Sequence, residues 1–246
     1  MIPIRDENPT ELRPAVTVLL IALNLAAWFL LQGAGMSESG LGWSADVFGT
    51  RPCELTGACR LEGLGWETVF TSMFMHGSWS HLLGNMLFLW VFGNNIEDSM
   101  GHVRFLLFYL LCGVAAGLAH IYMSPGSQLP TVGASGAISG IMGAYVVLYP
   151  RARVQTWVPP IFVFNLPAFL FLGYWFFLQL LMGAADRANA VPGEPEMGGV
   201  AVWAHVGGFV AGVLLVKVFE NRTLVRARKA GIVLSREEVA RSGGGW

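Results

Sequence analysis

The sequence is poor in charge. Asp, Glu, Lys and Arg make up 13% of its 246 residues, against about 25% in an average soluble domain. It is also poor in cysteine, with three, which excludes a small disulfide-built scaffold. A net charge of -1 leaves no basic footprint for nucleic acid. The 16 acidic residues all avoid the stretch from Arg104 to Ala185, so the middle of the chain has no carboxylate for a proton relay or a cation site. What is there instead is apolar. The hydrophobic set reaches 54% and mean hydropathy is +0.55, so a disordered chain is excluded too.

Segment length separates a membrane protein from an apolar soluble domain. A bilayer-spanning helix needs roughly 20 mostly apolar residues. Six segments qualify, at about 15–33, 80–96, 103–123, 131–150, 159–183 and 198–219. The first is read as a span and not a cleaved signal peptide, because it is long and its leader is acidic as well as basic. The expected architecture is an all-α membrane protein, a six-transmembrane-helix bundle. With a cytoplasmic N-terminus, the inner stretches hold twelve of the 15 Lys and Arg, and Arg51, Arg60 and Arg187 lie outside. The positive-inside rule therefore predicts both termini in the cytoplasm. Three regions follow: a cytoplasmic segment 1–14, a membrane domain 15–219 with a long outer loop at about 34–79, and a basic tail 220–246 facing anionic headgroups. Cys53 and Cys59 in the outer loop form either a disulfide or two free thiols. Cys112 in segment 3 is a packing residue.

Five histidines stand out against this background. His102 reads as a solvated loop residue, and His120 as interfacial packing at the outer end of segment 3. His76 and His81 stand at the entrance to segment 2. His205 lies inside segment 6, on the order of 10 Å from its outer end at about 1.5 Å per residue. Segment 4 supplies a neighbour. Its outer end carries Ser135 at compatible depth, with Gly133, Gly136, Gly140 and Gly143 baring one side. Gly208 and Gly212 bare a matching stripe beside His205, and small residues let helices approach closely. A serine and a histidine on adjoining helices suit nucleophilic catalysis, the imidazole taking the hydroxyl proton and returning it to the leaving amine. With no acid nearby this is a Ser–His dyad. His81 and Asn85, four apart, share a helix face. They and the Ser135 backbone N–H are candidates to hold an oxyanion. Alone, His81 and Asn85 also fit a polar interfacial cap.

Four motifs carry a family resemblance. They are His81-Leu82-Leu83-Gly84-Asn85, Glu97-Asp98-Ser99-Met100-Gly101, Gly133-Ala134-Ser135-Gly136 and Ala204-His205-Val206-Gly207-Gly208. In this order the chain resembles the rhomboid intramembrane serine proteases, in their six-helix bacterial form, over roughly residues 66–212. The resemblance implies Ser135 as nucleophile and His205 as base, with His81, Asn85 and the Ser135 amide around the oxyanion. It implies that His76 and a Glu97–Gly101 turn brace the first loop, and that segment 5 is a lateral gate. It implies no cofactor or metal, and as partners the lipid bilayer and membrane-protein substrates cut near the outer end of a helix. The setting would be the inner membrane, with the site opening outward. There are two departures. The first loop reads Trp66-Glu67 where the family often carries Trp-Arg. Ser139 replaces an aromatic four after the serine, and either hydrogen-bonds near His205 or serves as a small packing residue. Two other readings stay open: a rhomboid-like binder that no longer cuts, and a metal site built from His76, His81, His120 and His205.

Overall fold

The structure is a computed structural model that describes residues 1–60, 63–189, 201–230, 232 and 238–239. The start expected for segment 6 at 198, the centre of the outer loop before it, and Arg236 and Arg241 of the basic tail lie outside the described residues. Strand β1 (Ile2–Asp6) leads into helix α1 (Ala15–Leu30). The loop expected at 34–79 folds into short helices, α2 (Glu38–Phe48), α3 (Pro52–Thr56) and α4 (Thr68–Thr71). Helix α5 (Trp79–Phe88) passes through a π-helical turn at Leu89–Gly93 into α6 (Asn94–Met100). Then come α7 (His102–Met123), α8 (Ser135–Leu148), strands β2 (Arg153–Val158) and β3 (Phe162–Pro167), α9 (Ala168–Asn189), α10 (Val202–Phe219) and α11 (Arg222–Lys229).

The protein is mostly helical. Among the described residues α7, α9 and α10 are long and apolar enough to cross a membrane, while α1 and α8 are shorter apolar helices. The second expected segment is the composite α5–α6. Their outer surfaces are apolar: Leu107 and Leu111 on α7, Phe177 and Leu181 on α9, and Leu214 and Val218 on α10 are all exposed. Exposed apolar faces on helices of this length suit lipid, not water.

Residues 153–167 depart from the all-helical expectation. The apolar pattern starts segment 5 at 159, yet β2 and β3 form an antiparallel hairpin with Arg153 opposite Pro167 and Val158 opposite Phe162. β1 adds to β2, Ile2 opposite Trp157 and Asp6 opposite Val154. Short apolar runs fit strand or helix equally well by pattern. Here Pro159 and Pro160 exclude a helix interior, and Pro167 sets the start of α9 one residue later.

The buried core is centred on α8, whose residues from Gly136 to Tyr145 are all buried. α8 and α10 touch backbone to backbone. A Cβ at Gly208 would meet the Gly136 carbonyl oxygen at 2.0 Å, and one at Gly212 would meet the Gly140 oxygen at 2.0 Å. Only glycine permits this approach, which places Ser135 and His205 on helices with almost no gap between them.

The role expected for Glu97 needs correction. It braces the start of α1, not the first loop. Its buried carboxylate accepts hydrogen bonds from Val16 N (2.8 Å), Thr17 N (2.8 Å) and Thr17 Oγ1 (2.7 Å). Those N–H groups have no intrahelical partner, and an anion there also favours the helix dipole. Asp98 likewise accepts from Leu12 N at 2.7 Å. His102, expected to be a solvated loop residue, instead pairs Nδ1 with Glu97 Oε1 at 2.5 Å. Gly101, at φ +81°, makes the turn between α6 and α7. At this same end of the bundle Tyr145 donates a short hydrogen bond to Asp6, and Asn95 Nδ2 donates to it at 2.7 Å. Burial pushes the Asp6 carboxyl up to about 6. Tyr145 lies ten residues along α8 from Ser135, about 15 Å away at the helical rise.

Candidate active site

Ser135 is the first residue of α8 and His205 lies in the first turn of α10. Their side chains meet: His205 Nε2 is 2.7 Å from Ser135 Oγ. The other ring nitrogen is also held. His205 Nδ1 is 2.9 Å from Oε1 of Gln179, on α9. An amide oxygen only accepts, so Nδ1 carries the proton and Nε2 is left with a lone pair facing the serine hydroxyl. Trp175, one turn before Gln179, sets its ring 5.7 Å from the imidazole. Sequence reasoning missed Gln179. The available signal was an amide in the otherwise apolar run 168–183, four residues after Trp175 and so on the same face.

His81 and Asn85 project from α5 toward Gly133, two residues before the serine. A Cβ at Gly133 would lie 2.7 Å from His81 Nε2 and 3.5 Å from Asn85 Nδ2, and its φ is +126°. A side chain would be strained here and would fill the space the two donors face. The Gly77 N–H points at His81 Nδ1 (3.4 Å), which leaves the proton on Nε2, the atom facing Gly133. Asn85 Nδ2 donates one hydrogen to His76 Nε2 at 2.9 Å. His76 can accept because its ring is neutral: burial, with His81 adding to it, pushes it down to about 3. Its backbone is clamped by Gln32, whose Nε2 donates to His76 O (2.7 Å) and whose Oε1 accepts from His76 N (2.8 Å). His76 thus ties the end of α1 to the donor pair on α5.

The remaining side chains settle around this centre. Ser139 turns back on its own helix, donating to the Ser135 carbonyl at 2.6 Å, and does not reach toward His205. His120 Nε2 bonds Thr131 Oγ1 at 2.9 Å, so it fixes the approach to α8 as well as packing. Thr131 also bridges to Thr50 of the outer loop. Cys53 and Cys59 are joined as a disulfide. Cys112 is free and buried, with its Cβ against Gly140. Gly136 is just as tightly placed, 2.6 Å from the Ala116 Cβ by the position its own Cβ would take. Beside Ser135 is a small cavity of about 30 Å³, lined mainly by small residues including Gly113, Ala116, Gly117 and Ala204. Among the described residues no three His, Cys, Asp or Glu side chains gather as a metal site.

Known proteins resemble this chain in sequence. The family model for the rhomboid domain matches residues 64–222. Rhomboid protease GluP of Bacillus subtilis is 37% identical over 141 residues, 56% of this chain and 26% of that protein. Rhomboid protein 1, mitochondrial, of Saccharomyces cerevisiae is 31% identical over 172 residues, 67% of this chain and 46% of that protein. Rhomboid-like protein 11, chloroplastic, of Arabidopsis thaliana is 31% identical over 156 residues, 61% of this chain and 51% of that protein. The chain thus spans between about a quarter and a half of the length of these relatives. The family match covers more than half of the chain and contains all four motifs, so this membrane protein belongs to the rhomboid family.

Proposed function

We propose that this protein is an intramembrane serine endopeptidase that cuts other membrane proteins in or beside a transmembrane helix. The observation that carries the reading is the 2.7 Å contact between Ser135 Oγ and His205 Nε2. A relative named as a rhomboid protease supports it. Ser135 Oγ attacks the scissile carbonyl carbon as its proton passes to His205 Nε2. The carbonyl oxygen becomes an oxyanion, met by the Ser135 N–H, His81 Nε2 and Asn85 Nδ2. The C–N bond then breaks, and His205 returns the proton to the departing amine nitrogen. Water attacks the remaining ester, giving one proton to His205. Collapse of that second intermediate breaks the bond to Ser135 Oγ, which recovers the proton and releases the acid. No step requires a metal or a cofactor.

The reading includes a topology. With both termini in the cytoplasm, twelve of the 15 basic residues fall on the inner side, and the positive-inside rule supports that orientation. The Cys53–Cys59 disulfide suits an oxidising compartment, which supports an outer loop and Ser135 on the extracytoplasmic side of a cell membrane. The small cavity beside Ser135 favours Gly, Ala or Ser at the cleavage point. The test is cleavage of a panel of single-span reporters by purified wild type and Ser135→Ala, with cut sites mapped by mass spectrometry. Cleavage should need Ser135 and persist in chelator. Unimpaired cutting by Ser135→Ala would overturn the assignment. A wild type that binds the panel but cuts none would point to a binder that has lost catalysis.

A further inference from the structure

We propose that Gln179 is a positioning residue for His205, so that the base is set for catalysis by α9 and not by a carboxylate. The proposal rests on the protease reading above. A serine protease base needs one particular neutral tautomer, with the lone pair facing the nucleophile. A free imidazole populates both tautomers and rotates. In this protein the choice is made by Gln179 Oε1, 2.9 Å from His205 Nδ1. An amide oxygen cannot donate, so it selects the Nδ1–H form and frees Nε2 for Ser135 Oγ. Gln179 is itself buried, 8% exposed, as is His205 at 8%. A buried amide costs free energy unless it is hydrogen-bonded, which argues against an idle side chain. Trp175 on the same helix face limits ring rotation, with centroids 5.7 Å apart. The two contacts seat the imidazole from one side while Ser135 holds it from the other. Readiness of the base therefore depends on how α9 packs against α10. No acid is needed, which fits the absence of any carboxylate from Arg104 to Ala185.

Three variants and one spectrum test this. In Gln179→Met the shape is kept and the acceptor is lost. In Gln179→Glu the acceptor is kept. Phe177→Leu changes the exposed face of α9 and controls for substitution on that helix as such. Loss of one neutral hydrogen bond predicts kcat about tenfold lower in Gln179→Met with KM nearly unchanged. Gln179→Glu should retain most of kcat, and Phe177→Leu all of it. Histidine-selective ¹⁵N NMR of the wild type, with His205 assigned by its absence in His205→Ala, should show the proton on Nδ1. Gln179→Met should show a mixture of tautomers. Wild-type kcat in Gln179→Met would overturn the proposal. So would an equal loss in Gln179→Glu and Phe177→Leu, or a wild-type spectrum with the proton on Nε2. The spectrum does not depend on cleavage. If Ser135→Ala still cuts, the protease assignment falls while the spectrum still judges Gln179.

Discussion

A single methyl group at Gly208 should disable the protein without unfolding it. The Cβ of Gly208→Ala would stand 2.0 Å from the Gly136 carbonyl oxygen, where ordinary contact begins at 3.4 Å. That oxygen belongs to a buried helix and cannot rotate away. Helix α10 must therefore retreat by about 1.4 Å, the difference between those distances. His205 lies three residues earlier on the same side of α10 and moves with it. Its Nε2 would pass from 2.7 Å to about 4 Å from Ser135 Oγ, beyond hydrogen-bond reach. A misplacement of this size costs roughly 100-fold in rate. Stability should change much less. Overpacking costs about 1–3 kcal/mol, and alanine recovers up to about 1 kcal/mol of helix propensity over glycine. The net lowers Tm by a few degrees for a chain of this size. The assay is kcat on a single-span reporter in detergent beside a thermal melt. Gly173→Ala on α9, with no heavy atom within 4 Å of the added carbon, is the control and should cut normally. Wild-type cleavage by Gly208→Ala would refute the claim that close helix approach sets the dyad. Equal loss in Gly173→Ala would refute the specificity of the argument.

Three further outcomes are expected. Gly133→Ala adds a Cβ 2.7 Å from His81 Nε2 at a φ of +126°, so kcat should fall roughly 100-fold, as when an oxyanion donor is lost; a change in KM alone would contradict it. Asp6 is raised to about 6 by burial, so its folded form binds a proton more tightly than its unfolded form. The stability this contributes is present below the ordinary aspartate value and lost as pH rises through 6. Asp6→Asn should therefore gain on wild type by about 2 kcal/mol between pH 4 and 8 in paired melts, and a pH-independent difference would refute it. Cys53→Ser opens a short crosslinked loop worth about 2 kcal/mol by loop closure, and should raise hydrogen exchange around α3, as should reductant added to wild type. Unchanged exchange would show that the bond does not hold the outer loop.

Much of the candidate site was legible because its residues are local markers on strong helices. Ser135 and His205 each sit near a helix start beside glycines, which marked them, but counting from the expected segment ends put both too deep, because α8 begins at Ser135 itself and α10 only at Val202. The glycine stripes on α8 and α10 announced that the helices touch. The partners of these residues were less legible. Gln179 reaches His205 only because α9 crosses α10 at a particular point, which no local pattern encodes. Glu97 caps a helix 80 residues away in sequence, and the local turn motif gave no sign of that target. His102 looked solvated because its carboxylate partner was assigned to another role. Residues 153–167 misled by composition, since an apolar run bounded by prolines fits a strand as well as a helix. The membrane class itself followed from low charge and long apolar runs, and the exposed apolar faces of α7, α9 and α10 agree with it.

The central claim is that Ser135 is a nucleophile activated by His205. It is tested most directly by a serine-directed fluorophosphonate on the folded protein, with the adduct located by mass spectrometry. The account predicts one adduct, on Ser135, which disappears in His205→Ala. An adduct on Ser139, or none on a wild type that still cuts its reporter, would contradict it.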